Sequence, residues 1–295
     1  MYKKKKTKIT RLDVILLLIL LAGVVFIVYR ITAGLNYKWN WRAMFQYVIR
    51  YDPETKRYVP NLLLEGLFTT LRLSFWGTFL AIFFGMVMGF FRVSTSLFKR
   101  MVGRSYVEMI RNLPPLVFIF IFYFFISDQI MPVLGVDSFI RSSSPGTQKF
   151  FGIILASPEL FAATVSALIS LGIFEGAYIT EIVRAGIQSI ERGQWEASYA
   201  LGFSKYQQMR HVILPQAIQR ILPPLAGQFI SLIKDSAIVS VISVQELSFQ
   251  GTQIMASTYY TIEIWTFVAA LYLIMTLSCS LAVERLEIHM ARSTR

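Results

Sequence analysis

GQWEASYALGFSKYQQMRHVILP, residues 193–215, is the longest polar stretch between two strongly apolar segments in the C-terminal half of the chain. It has order of its own. Gln194 to Leu201 reads as a short helix, with Trp195 turned outward toward a partner. Gly202 supplies the left-handed stop that glycine provides at helix C-termini. Ser204 with Gln207 three residues on is a capping box, which starts a second helix at Lys205. That helix runs into Val212, Ile213, Leu214 and Pro215. Two helices meeting at a glycine turn are more order than a surface loop requires, so the stretch is expected to dock against something.

Composition limits what that can be. The chain has 295 residues, 55% hydrophobic and 16% charged, with a mean hydropathy of +0.55. A soluble domain of this length carries roughly 25% charged residues, so the composition is that of a membrane protein. A net charge of +12 would suggest nucleic acid in a soluble chain. Here it fits positive charge gathered on cytoplasmic loops, and no nucleic acid is expected. The single cysteine, Cys279, excludes disulfides and a cysteine metal site. His211 and His289 lack ligand spacing and are read as structural, so no metal and no cofactor are expected.

Working outward gives an all-α integral membrane protein with six transmembrane helices. Residues 1–11 form a basic tail with Lys3 to Lys6, Lys8 and Arg11. The apolar run Val14 to Tyr29 lacks a small-residue cleavage site after it, so 12–30 is read as a retained N-terminal span. Residues 31–60 form an extra-cytoplasmic segment. Within it Trp41, Phe45 and Val48 stand at helical spacing, and a helix lying on the membrane and a polar connector both remain open. Spans are expected at about 66–91, 106–126, 160–179, 218–244 and 264–283. In the first of these Gly77, Ala81, Gly85 and Gly89 recur every four positions, which admits a close neighbouring helix. Arg72, near its outer end, can snorkel. Asp128 to Pro158 and Gln245 to Ile262 read as outer loops, the second holding Glu246. With both termini inside, inner segments carry 17 Lys and Arg against 8 outside, the bias that sets orientation.

Ionisable groups inside spans are functional candidates. Glu108 and Arg111 are three residues apart, share a helix face and can pair, or Arg111 can meet a ligand carboxylate in a cavity wall. Pro114 and Pro115 remove two backbone donors and bend that span. Lys234 and Asp235 are adjacent and point different ways, one toward a cavity or both into structural pairs. No G-x-x-x-x-G-K-[ST] phosphate loop, H-E-x-x-H or Gly-x-Ser-x-Gly occurs, so the chain is not expected to be an enzyme.

Glu196-Ala197-Ser198, Gly202 six residues after the glutamate, and Val212-Ile213-Leu214-Pro215 resemble the EAA loop of type I ABC importer permeases. Ser198 stands where alanine is usual, and Val212 where isoleucine is. Ala177-Tyr178, Glu181 to Arg184, Gly186 to Ile190, Leu214 to Ala217 and Phe229 to Ser236 are similar to the polar amino acid branch. Tyr106-Val107-Glu108 to Arg111 with Pro114 is similar to another block of that branch, though Asn112-Leu113 departs from its Gly-Thr. The resemblance covers about 62–290. It implies a five-helix permease core, to which the N-terminal helix is an addition. It implies that loop 193–215, through Trp195, Glu196, Ala197, Gly202 and Pro215, couples to a separate ATPase. The expected partners are an ABC ATPase dimer, a second permease copy or paralogue, and an extra-cytoplasmic solute-binding protein, in a bacterial inner membrane. Glu108, Arg111, Pro114, Lys234 and Asp235 are the candidates for the substrate pathway. A different small polar solute, or a channel or scaffold subunit, are the alternatives.

Overall fold

The computed structural model describes residues 10–34 and 39–293. Most of the basic tail lies outside them. Arg11–Gly34 forms α1, whose described side chains are all exposed. At its start the Asp13 carboxylate accepts from the Thr10 amide at 2.7 Å, while Thr10 Oγ1 accepts from the Asp13 amide at 3.3 Å.

In the described part of the 31–60 segment a helix does form over Phe45 and Val48, with Trp41 just before it. α2 (Arg42–Val48) has seven residues and buries Met44. A hairpin of β1 (Ile49–Asp52) and β2 (Arg57–Pro60) follows, with Ile49 opposite Pro60 and Asp52 opposite Arg57. Its sequence favours a hairpin. The Asp52 carboxylate accepts from Glu54 N and Thr55 Oγ1, closing the turn, and Tyr51 meets Tyr58 edge-on across the strands, the kind of pair that stabilises a ladder. Asn61 then caps α3 (Leu62–Val93), accepting from Leu62 N and donating to the Gln46 carbonyl.

Among the described residues, five helices are long and apolar enough to cross a membrane: Leu62–Val93, Pro115–Val133, Phe161–Gln188, Lys205–Ile242 and Thr261–Arg285. One expected start is corrected. Tyr106 to Arg111 belongs to α4 (Leu97–Arg111), a separate amphipathic helix. The chain breaks at Asn112 to Pro114, and Pro115 opens α5 (Pro115–Ile121) at a first-turn position where its missing N–H costs nothing. A π turn at Phe122–Ser127 joins α5 to α6 (Asp128–Val133). The expected loop 128–158 is mostly helical, comprising α6, α7 (Val136–Ser142) and α8 (Pro145–Ile154).

α9 (Phe161–Gln188) runs nine residues beyond its expected end at 179. α10 (Arg192–Ala200) is the short helix of the 193–215 stretch. α11 (Lys205–Gln207), a π turn at Gln208–Ile213, α12 (Leu214–Asp235) and a 3-10 turn at Ser236–Ile242 make one continuous rod. α13 (Leu247–Thr258) is too short to span, and α14 (Thr261–Ser293) closes the chain.

α3 and α9 form the central pair. The small residues of α3 face inward, and Ala81, Gly85 and Gly89 are buried. A Cβ at Gly85 would collide with Ile179, and one at Gly89 would lie 2.6 Å from Val183. The four-residue spacing therefore does what it was expected to do, letting two helices approach closely without a polar driving force. By contrast Phe75, Phe79 and Phe83 on α3 and Leu273, Ile274, Leu277 and Leu281 on α14 are exposed. Such apolar faces suit hydrocarbon as solvent.

Glu246, expected in an outer loop, is fully buried as the N-cap of α13. Its carboxylate accepts from Phe249 N at 2.7 Å, Tyr272 Oη at 2.7 Å and Thr70 Oγ1 at 3.4 Å. Three helices meet on one carboxylate, which explains why a charged residue follows an apolar run here.

Candidate functional site

The 193–215 stretch folds as two helices about Gly202. Gly202 has φ +78°. Its N–H donates to the Tyr199 carbonyl, and Phe203 N–H to the Ser198 carbonyl. These are the paired bonds of a Schellman stop. The capping box is present in both directions, Gln207 N to Ser204 Oγ and Ser204 N to Gln207 Oε1. Ser198 is buried and donates to the Trp195 carbonyl, so it fits where alanine is usual.

Trp195 is a correction. It is half-buried and packs with Ile187, Ile190, Ile213 and Ala217 instead of facing outward. The outward face carries Glu196 and Ala197, with Tyr199, Leu201 and Tyr206 strongly exposed. The indole anchors α10 to the spans, and Gln216 Nε2 adds a bond to Gln194 Oε1 at 3.1 Å. Pro215 does not end the helix. The π turn just before it widens the backbone where the proline ring would otherwise strike a carbonyl one turn back.

A second polar region lies where α4, α9 and α12 meet. One cavity, of 590 Å³, is lined by Arg111, Tyr178, Glu181, Ser189, Arg220 and Gln228 among others. Another, of 320 Å³, is lined by Arg92, Glu108, Arg111, Asn112 and Glu181. Arg111 and Glu181 belong to both. Arg92 holds Glu181 Oε1 at 3.0 Å, and Arg184 holds Oε2 at 2.7 Å. Both lone-pair edges of Glu181 are thus occupied. Arg220 donates to the Ser189 carbonyl at the end of α9.

Arg111 is different. Its guanidinium lies over the Tyr178 ring, 5.1 Å from the centroid, and makes no ion pair with any described residue. The expected Glu108–Arg111 pair does not form. Glu108 pairs with Arg104 one turn earlier, at 3.2 Å on an exposed face, and the Tyr178 ring holds Arg111 instead. The break that Pro114 makes after α4 leaves Arg111 on the last turn of that helix, where a cation is favoured. A free guanidinium fork against an aromatic face is suited to a carboxylate.

Lys234 and Asp235 line neither cavity. They do point different ways. Lys234 is exposed, while Asp235 is half-buried and close enough to Glu175 to interact with it. Glu175 lies midway along α9 and is fully buried. Its Oε2 accepts from Gln228, and its Oε1 has no partner among the described residues. Reading the sequence singled out Arg111 but not Arg92, Tyr178, Glu181, Gln228 or Arg220 for this cavity. Tyr178 and Glu181 stand three apart on one face of α9, a spacing that could have shown it.

Residues 81–295 match the family described as binding-protein-dependent transport system inner membrane component. Glutamine transport system permease protein GlnP of Escherichia coli strain K12 is 35% identical over 226 residues, covering 77% of this chain and 91% of that one. Glutamate/aspartate import permease protein GltK of Escherichia coli O6:H1 is 30% identical over 239 residues, covering 80% and 98%. A crystal structure of an amino acid ABC transporter with histidines superposes with a TM-score of 0.65 at 31% identity, covering 86% of this chain and all of that one. An inward-facing MetNI methionine ABC transporter structure, at 19% identity and a TM-score of 0.57, has the same fold.

Proposed function

This chain belongs to the family of binding-protein-dependent transport system inner membrane components, and from that premise we propose that its cargo is a polar amino acid whose α-carboxylate is met by Arg111. It is the membrane permease of an ABC transport system, and its helices carry the solute's path. The observation that carries the cargo reading is the unpaired Arg111 guanidinium, seated on Tyr178 where two polar cavities join. The names of the relatives support an amino acid, among them glutamine, glutamate and aspartate.

Energy comes from a separate ATPase dimer acting on α10. Trp195 and the Gln194–Gln216 bond fix that helix to the spans, so a push on Glu196, Ala197 and Tyr199 is passed to α12. The Gly202 turn and the continuous helix through Pro215 make the connection stiff. The α10 end of the spans faces the cytoplasm, consistent with the excess of basic residues on that side. A second permease copy or paralogue and an extra-cytoplasmic solute-binding protein complete the assembly.

The test is uptake by the reconstituted complex. Arg111→Ala removes a charge-assisted bond of about 1.5–3 kcal/mol, so uptake at low substrate falls about 10- to 100-fold while the complex still assembles. Arg111→Lys keeps part of it. Equal loss of assembly and uptake would reassign Arg111 to structure.

A further inference from the structure

The end of the spans opposite α10 holds another cavity, of 440 Å³. It is framed by the start of α3, the start of α9 and the turn into α13. Thr69 in its wall donates to the Glu65 carbonyl at 3.0 Å, but two other polar side chains have no such partner. Thr164 is 3% exposed and Gln250 is 4% exposed. Both side chains line the cavity, and neither makes a side-chain hydrogen bond with any described residue. Gly66 sets this up, because a Cβ there would lie 2.9 Å from Gln250 Cγ and from Leu247 Cα. The close approach presses α13 onto α3 and holds the Gln250 amide against the cavity.

Two charges complete the wall. Glu65 and Arg72 both line it, and neither forms an ion pair with a described residue. They are seven residues apart on α3, so they share a face two turns apart, about 10 Å along the axis. The gap left between the heads is too wide for a direct pair. It suits a small molecule with an anionic and a cationic end. The polar atoms of Thr164 and Gln250 open onto the cavity beside the half-buried Arg72 and the exposed Glu65, so a polar molecule seated there meets four groups that no described side chain engages.

We propose that this cavity is a second amino-acid site, on the extra-cytoplasmic side, which receives the zwitterion before it reaches Arg111. Arg72 takes the α-carboxylate as a fork, Glu65 takes the α-ammonium, and Thr164 and Gln250 meet a polar side chain. This rests on the reading of the chain as an amino-acid permease. It adds an entry station that discriminates by the zwitterion itself, with the Arg111 cavity deeper along the path.

The test is local. Ser157 lines the cavity and has no part in the proposed contacts. A full-length Ser157→Cys chain on a Cys279→Ser background is placed in nanodiscs and labelled with a charged maleimide. L-glutamine at millimolar concentration is expected to slow labelling at least fivefold. 4-Aminobutanamide, which lacks the α-carboxylate, is expected not to. In Arg72→Gln the protection by L-glutamine is lost, and Arg72→Lys restores part of it. Unchanged labelling with both L-glutamine and L-glutamate, or protection that persists in Arg72→Gln, overturns the proposal. Phosphatidylethanolamine also offers an ammonium beside an anion, so the discs are made of phosphatidylglycerol with and without it. Slow labelling that follows phosphatidylethanolamine rather than the amino acid makes the cavity a headgroup site and overturns the proposal as well. Binding-protein-dependent uptake by the unsubstituted complex is measured in parallel. Its absence would count against the permease's cargo, and its presence with no protection counts against this cavity alone.

Discussion

Arg111 and Glu181 sit in the same pair of cavities and have opposite situations. Glu181 is saturated by Arg92 and Arg184, so it fixes the wall and has nothing left for a ligand. Arg111 has only a ring beneath it, so its donors stay available. A cation over an aromatic face is worth about 0.5–2 kcal/mol. Tyr178→Leu should therefore raise the KM for uptake by about 2- to 30-fold with maximal uptake nearly unchanged. A variant that loses maximal uptake at constant KM would show that Tyr178 serves the helix packing instead. At Gly85 the question is space alone. Gly85→Val drives a branched side chain into Ile179, and overpacking costs about 1–3 kcal/mol. The purified variant should melt several degrees lower in detergent, whereas Phe83→Leu, on an exposed position of the same helix, should not.

Among elements, the α10 turn is the one whose chemistry was fully written in local sequence. Gly202 and the Ser204–Gln207 box act within a few residues, so their bonds form as the spacing implies. No atom lies within 4 Å of a Cβ built at Gly202, and only its φ of +78° restricts substitution. Asparagine tolerates the left-handed region and valine does not. Gly202→Asn should keep substrate-stimulated ATP hydrolysis by the assembled complex within about twofold of the parent, a change of about 0.4 kcal/mol. Gly202→Val should reduce it strongly while the subunits still copurify. Equal activity in the two would mean the turn's shape is not what transmits the push. The π turn at Gln208–Ile213 and the outward or inward aim of Trp195 were not legible, because both depend on which face of the helix meets the spans. The same holds for the α4–α5 break. Prolines announced a bend, but only packing decided that it would separate two helices and leave Arg111 at the end of one.

At the scale of the molecule, three buried clusters all draw on α3, with α9 in two of them and α12 in two, and the outer faces are left apolar for lipid. The long helices surround polar cavities. The proposed function gives ATP hydrolysis to a partner chain. The purified chain, alone in nanodiscs, should hydrolyse ATP at no more than the rate of empty discs. Turnover that survives removal of every other subunit would overturn that division of labour.

The sequence by itself determined the class, the long apolar helices of the core, the small-residue face of α3 that a neighbouring helix approaches, and the helix–turn–helix at 193–215. Each of these follows from periodicity, small-residue spacing or capping, which act over one or two helical turns. Tertiary structure alone decided that Glu108 turns away from Arg111, that Tyr178 lies beneath Arg111, that Glu246 is a buried cap between three helices, and that Gln250 and Thr164 face a common cavity. Those outcomes join residues tens to hundreds of positions apart. A charged or polar side chain in such a place is placed by whichever distant partner satisfies it, and no local pattern names that partner.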